Sequence, residues 1–102
     1  MIWKNCLMTN VYFDNEDAVE NEPCVVKIEG DSILVEYEDE DAKGKAYLVQ
    51  WTGTQQGGGH YVLTCPGEQG KSTLHGFTDG KLLEGFWIEH SERGMWRIEL
   101  KP

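Results

Sequence analysis

The sequence lacks any long apolar run, since no stretch approaches the roughly 18 consecutive apolar residues that a membrane-spanning helix needs. It also lacks a segment of about a dozen residues with the 3.6-residue apolar period of an amphipathic helix. The first residues, MIWKNCLMTNVYF, do not have the basic leader, apolar stretch and small-residue cleavage site of a secretory signal. We therefore expect a cytoplasmic protein that does not bind membranes.

Basic residues are scarce, because 9 Lys and Arg stand against 18 Asp and Glu and give a net charge of -9. A surface of this sign repels the phosphates of nucleic acids and of anionic lipids. The sequence therefore predicts no nucleic acid partner, and a charged partner should be cationic. The excess of acids also has a simpler interpretation, since it keeps a small protein soluble.

Cysteines are few and odd in number. Cys6, Cys24 and Cys65 do not have the spacing of a metal site, and an odd number does not suit a disulfide framework. We interpret them as buried, reduced thiols, and one disulfide with a remaining thiol stays open as an alternative.

What the sequence has instead is a series of short alternating runs rich in Val, Ile, Tyr and Trp between turn residues. Short connections make consecutive strands antiparallel neighbours. We predict a single all-β domain spanning 1–102, an eight-stranded up-and-down β-barrel, because closure leaves no exposed sheet edge. A β-sandwich of two packed sheets is the alternative. The predicted strands are 2–13, 23–29, 32–38, 44–53, 60–65, 71–77, 82–89 and 94–101.

The turn predicted at Gly30-Asp31 sets the register of the hairpin around it. It pairs Val26 with Val35 and Cys24 with Tyr37. All four residues therefore share one apolar face.

Two tryptophans in the last hairpin, Trp87 and Trp96, are symmetric about the 91–92 peptide. A turn centred there predicts that their side chains are direct cross-strand partners on one face. A second turn, at Asp79-Gly80, places Ser72 opposite Trp87. The facing of strands 2–13 and 44–53 stays open, because both parities of those strands contain large apolar residues.

One end of the predicted barrel carries most of the negative charge. Connections of a meander alternate between the two ends, so segments 14–22, 39–43, 66–70 and 90–93 share one end. This end, termed the acidic rim, would carry ten of the eighteen acids: Asp14, Glu16, Asp17, Glu20, Glu22, Asp39, Glu40, Asp41, Glu68 and Glu92.

Inward positions beneath the acidic rim predict an aromatic cup that binds a small molecule, since such sites are concave and mainly apolar with a few polar groups. The alternative is an interior filled by the barrel's own side chains. Glu89 is the one carboxylate on the face of Trp87 and could accept a hydrogen bond from a ligand amine or amide. The predicted ligand-binding residues are Trp87, Trp96, Glu89, Tyr37, Tyr47 and Ser72.

At the level of architecture, the strand meander and aromatic interior resemble the calycin and avidin-like β-barrels. That resemblance implies a small-molecule cavity at one end. Those families carry a Gly-x-Trp near the first strand, whereas here Gly85-Phe-Trp87 and Gly94-Met-Trp96 lie on the last two. No family ligand or binding residue is therefore transferred to this chain.

Catalytic and metal motifs do not emerge from the sequence. The regularly spaced His60, His75 and His90 fall at three separate places of the predicted barrel, out of reach of one zinc ion. Cys65 has no histidine placed to act as its base. We predict no metal site, no cofactor and no catalytic residue, and an enzyme using Glu89 with a tyrosine as an acid-base pair is the least favoured interpretation.

An apolar cluster on the outer wall predicts a homodimer, because exposed clusters of this kind often mark association surfaces. The alternatives are that residues 14–22 fold back over it or that a two-sheet fold buries it. The cluster comprises Phe77, Leu82, Phe86, Ile88 and Met95.

Two functions remain in view from the sequence. The favoured one is non-enzymatic binding of a small neutral or cationic, partly aromatic ligand beneath the acidic rim. The alternative is an acidic interaction protein, such as an inhibitor, immunity factor or nucleic acid mimic, whose rim loops bind a basic protein surface.

Overall fold

A computed structural model describes residues 1–14 and 17–102, which form a closed barrel of eight antiparallel strands in sequence order. Pairing of the first strand with the last closes the barrel. The predicted up-and-down barrel is confirmed, and the two-sheet alternative is wrong. The strands are β1 Ile2–Tyr12, β2 Asp17–Glu29, β3 Ser32–Glu40, β4 Ala46–Gln55, β5 His60–Cys65, β6 Gly70–His75, β7 Leu82–Glu89 and β8 Glu92–Glu99.

Helical structure is limited, over the described parts of the chain, to the 3₁₀ turn Pro66–Glu68 between β5 and β6. Nothing helical in residues 1–14 and 17–102 is long and apolar enough to cross a membrane.

Strands β2 and β3 are longer than the sequence predicted. β2 begins at Asp17 and pairs with β1 down to the Tyr12–Asp17 pair, and β3 continues to Glu40 opposite Ala46 of β4. Residues 17–22 and 39–40, which the sequence assigned to rim loops, therefore lie on strands. Glu16, which the sequence placed on the acidic rim, lies outside the described residues.

A β-bulge in β2 explains why its strand character was hard to recognise. Between the Met8–Glu22 and Asn10–Val19 pairs, β2 uses one more residue than β1. Asn21 lies there with φ 56°, a left-handed conformation that asparagine tolerates better than most residues. The bulge reverses the alternation of side chains along β2.

The interior of the barrel is packed with apolar side chains. The facing that the sequence left open is resolved, since Cys6 and Met8 of β1 and Val49 and Trp51 of β4 are buried. The three cysteines are free and buried, as predicted. The other buried core residues are Cys24, Val26, Ile33, Val35, Tyr61, Leu63, Cys65, Leu74, Leu83, Trp87, Trp96, Ile98 and Leu100.

The predicted registers of the β2–β3 and β6–β7 hairpins are confirmed. Val26 lies opposite Val35, and Ser72 lies opposite Trp87. The β2–β3 ladder ends at the Val25–Glu36 pair, however, one step short of the predicted partners Cys24 and Tyr37.

The predicted direct pairing of the two tryptophans is wrong by two residues. Trp87 lies opposite Gly94 and Trp96 opposite Gly85, because the turn is centred on His90-Ser91, where His90 has φ 53°. A Cβ atom at position 94 would come within 2.8 Å of the Trp87 indole, so glycine is required there. A shift of two residues preserves the alternation, and both indoles stay inside.

The outer apolar cluster is exposed, and residues 17–22 form part of the barrel wall instead of covering it. Phe86 and Met95 are cross-strand partners, with Val11 of β1 beyond Met95. Phe77 lies apart, in the connection after β6. All five predicted cluster residues are exposed: Phe77, Leu82, Phe86, Ile88 and Met95.

Candidate functional site

A cavity of about 370 Å³ opens at the end of the barrel that carries the acidic rim. Four of the six predicted ligand-binding residues, Trp87, Trp96, Glu89 and Tyr37, line it. Its complete lining is Asn10, Tyr12, Val19, Glu22, Tyr37, Asp39, Trp51, Trp87, Glu89, His90, Glu92 and Trp96.

The two other predicted residues, Tyr47 and Ser72, do not line the cavity. Tyr47 is 38% exposed near the tip of the β3–β4 hairpin, where the Glu68 carboxylate beside its hydroxyl raises the pKa of Tyr47 to about 12. Ser72 is buried below the cavity, opposite Trp87, and its hydroxyl has no hydrogen-bond partner in the described structure. Ser72 thus provides space for an indole instead of a contact for a ligand.

Three indole rings and two tyrosine rings form the aromatic part of the cavity. Trp51 packs against Trp96 with ring centroids 5.4 Å apart and planes tilted by 56°. Tyr12 meets Trp87 edge-on, with centroids 5.1 Å apart. Such tilted and edge-to-face contacts are the favoured geometries for aromatic pairs and hold the rings in place.

Each indole N–H already donates a hydrogen bond within the protein. Trp51 Nε1 donates to the Tyr37 hydroxyl at 3.1 Å. Trp87 Nε1 donates to the Met95 carbonyl at 3.2 Å, and Trp96 Nε1 to the Thr73 carbonyl at 3.0 Å. The donors of the indoles are therefore already used, and the rings, which are only 1–5% exposed, form the buried floor of the cavity.

Four carboxylates surround this aromatic surface: Glu22 of β2, Asp39 of β3, Glu89 of β7 and Glu92 of β8. The ion pairs of the described residues, such as that of Arg97 with Glu84, leave all four without a basic partner. Acceptors thus outnumber donors in the lining of the cavity.

Burial and the crowding of negative charge raise the pKa values of two of these carboxyl groups. Burial raises the pKa of Glu89 to about 7, with Glu68, Asp39 and Glu92 adding to the increase and His90 opposing it. Burial also raises the pKa of Glu22, with a further contribution from Asp39. An entering cation would relieve this repulsion, because opposite charge stabilises the ionised carboxylates.

The sequence missed several lining residues for identifiable reasons. Tyr12 and Trp51 lie on the two strands whose facing was ambiguous. Glu22 and Asp39 were assigned to rim loops, whereas both lie on strands. The alternation of β1 would have identified Asn10 once Cys6 and Met8 were known to face inward.

No group of three His, Cys, Asp or Glu side chains in residues 1–14 and 17–102 is arranged to hold an ion. His60 and His75 are cross-strand neighbours with ring centroids 6.0 Å apart, closer than the sequence suggested, while His90 lies at the acidic rim.

Comparison of the chain with protein-family models, curated proteins and solved structures found no match. The resemblance to calycin and avidin-like barrels therefore stays a prediction beyond the confirmed strand topology.

Proposed function

We propose that the protein binds a small organic cation with an aromatic or apolar body in the cavity beneath the acidic rim. The observation that carries this proposal is one concave surface that combines three indole rings with four carboxylates lacking basic partners. The volume of about 370 Å³ is at the small end of the range of ligand pockets.

Two forces favour a cation over a neutral ligand of the same shape. A cation above an indole ring gains roughly 0.5–2 kcal/mol from the ring electrons, depending on how far it is desolvated. The surrounding acids, including Glu89 and Asp39, raise the local concentration of cations and accept hydrogen bonds from N–H groups. A neutral, partly aromatic ligand keeps the stacking on the rings but loses the attraction of a cation to the indoles and to the surrounding acids.

A matched pair of ligands tests the charge requirement. Phenethylammonium and 2-phenylethanol differ mainly in charge, and their binding can be followed by tryptophan fluorescence, since Trp51, Trp87 and Trp96 line the cavity. We expect saturable quenching by the amine and much weaker quenching by the alcohol. If no member of a wider panel of organic cations gives a saturable signal, the proposal is contradicted.

A second candidate function is binding of a basic protein surface, as an inhibitor, immunity factor or nucleic acid mimic would do. It is favoured by the exposed acids Glu38, Asp39, Glu40 and Asp41 near the tip of the β3–β4 hairpin. A salt-sensitive partner that is lost when Asp39, Glu40 and Asp41 are changed to Asn, Gln and Asn would support it. Retention of the partner by that variant would reject it.

Three further inferences from the sequence stay predictions: the cytoplasmic location, the homodimer through the outer cluster and the absence of nucleic acid partners. The acid-base interpretation of Glu89 also stays a prediction. Its pKa of about 7 suits proton transfer at neutral pH. Proton transfer also needs a substrate atom within hydrogen-bond reach, so the binding test comes first.

A further inference from the structure

The pairing of β2 with β3 stops at the level of the cavity. Their ladder ends at the Val25–Glu36 pair, although β2 extends from there to Asp17 and β3 extends to Glu40. The four residues of β3 beyond Glu36 span roughly 13 Å at about 3.3 Å per residue. This unpaired interval is termed the β2–β3 cleft.

Each strand beside the cleft is paired with its neighbour on the other side. On one side, Pro23 pairs with Leu7 of β1. On the other, Tyr37 pairs with Val49 of β4. The cleft therefore lies between two strands that are each paired on their other side, and it is not a frayed end.

The local sequence explains why the pairing stops. Pro23 has no N–H to donate to a ladder with β3. If the register continued, Glu22 would lie directly opposite Asp39, and like charges at such positions are destabilising. The influence of Asp39 on the raised pKa of Glu22 agrees with this repulsion.

A second cavity, a groove of about 380 Å³, lies on the outer side of the cleft. Tyr37 lines both the inner cavity and this groove, so this residue lies between the two. The groove is lined by Lys4, Pro23, Cys24, Val25, Glu36, Tyr37, Glu38 and Leu48.

The groove suits hydrocarbon better than a second ammonium group. Leu48 is 54% exposed and lines the groove together with Pro23 and Val25. Glu36 already accepts a hydrogen bond of 2.7 Å from Gln50, and the charge of Lys4 counters that of Glu38, the other acid of the groove.

We propose that the ligand of the cavity is an elongated amine whose ammonium group lies among the carboxylates and whose hydrocarbon tail passes through the β2–β3 cleft into the outer groove. This proposal rests on the proposed cation-binding function. It adds the ligand class and assigns the tail to the outer groove.

A series of n-alkylammonium ions from butyl to decyl tests the proposal with the intact protein. Each methylene that enters the groove should tighten binding about fourfold, until the groove is full. Leu48→Glu should leave the affinity for butylammonium close to that of the native protein. The same variant should weaken binding of decylammonium by roughly tenfold or more, because the charge disfavours the tail.

Val62→Glu is the matched control, because Val62 is also an exposed apolar residue, on β5 and outside the groove. It adds the same charge and should keep the full dependence on chain length. Tail binding is read as the ratio of decyl to butyl affinity within each variant, so general attraction of cations cancels.

The outcomes separate the two proposals. If no alkylammonium ion binds the native protein, the proposed function fails. If butylammonium binds but longer chains bring no gain, or Leu48→Glu keeps that gain, the tail assignment is wrong while the cation site stands. Tighter binding of 1,8-diaminooctane than of octylammonium would also overturn the hydrocarbon assignment.

Discussion

Glu89 should make the stability of the protein fall as pH rises from about 4.5 to 7. Its pKa is about 7 in the folded chain, against an ordinary value of 4.5. Between these values the folded state holds a proton that the unfolded state has lost. The free energy of unfolding therefore falls across this interval, and the full penalty applies above pH 7. The full difference corresponds to about 3 kcal/mol. Because Glu89 is only partly buried, solvent screening reduces the expected penalty to about 1–2 kcal/mol.

The variant Glu89→Gln removes this titration. It should match the native protein near pH 4 and be more stable by about 1–2 kcal/mol at pH 8, as measured by urea unfolding across this range. Glu84→Gln is the control, since Glu84 lies on the same strand but faces outward and pairs with Arg97 at 3.5 Å. An identical pH dependence for native protein and Glu89→Gln would refute the reasoning. A bound cation should lower the pKa of Glu89 and offset the penalty at pH 8.

Three other substitutions have expected results. Gly94→Ala should destabilise by more than about 2 kcal/mol in urea unfolding, because the new Cβ would clash with the Val11 carbonyl and the Trp87 indole, and an unchanged midpoint would contradict this. Ser72→Ala should be neutral or stabilising by about 1 kcal/mol, since the buried hydroxyl makes no hydrogen bond in the described structure, and a large loss would show that it has a partner. Phe86→Glu should convert the predicted dimer to a monomer in sedimentation, whereas a native protein that sediments as a monomer would reject the dimer.

The fold could be predicted because it depends on information local to each hairpin. Turn residues such as Gly30 and Asp79, with alternating apolar runs between them, determine the order and direction of the strands. The extent of β2 could not be predicted in this way. Its outer half is rich in acids and contains the Asn21 bulge, so neither hydrophobicity nor alternation marks it as a strand.

The candidate site was predictable where alternation alone decides the face. Trp87, Trp96 and Glu89 were placed on the inner face correctly despite the error in register, because a two-residue shift does not change the side of the sheet. Trp51 was missed because β4 has large apolar residues at both parities. Asp39 was missed because its strand continues past the last apolar residue.

The two Gly-x-Trp segments explain why the register is shifted and what that means for the site. Each tryptophan lies opposite the glycine of the other segment, so Gly85 faces Trp96 and Gly94 faces Trp87. A Cβ at either glycine would clash with backbone of the neighbouring strand, at Thr73 or Val11. Gly85 and Gly94 thus allow the neighbouring strands to pack closely and also leave room for the indole rings.

Because of this arrangement, the residues of the cavity floor also determine the stability of the fold, whereas the residues of the rim do not. A substitution at Trp87, Trp96 or either glycine should cost stability together with binding. Glu92 and Asp39 are exposed at the mouth and make no ion pair among the described residues, so replacing them should change cation affinity with little effect on folding. Ligand charge preference is therefore expected to be adjustable at the rim, whereas the aromatic floor is constrained by the register of β7 and β8.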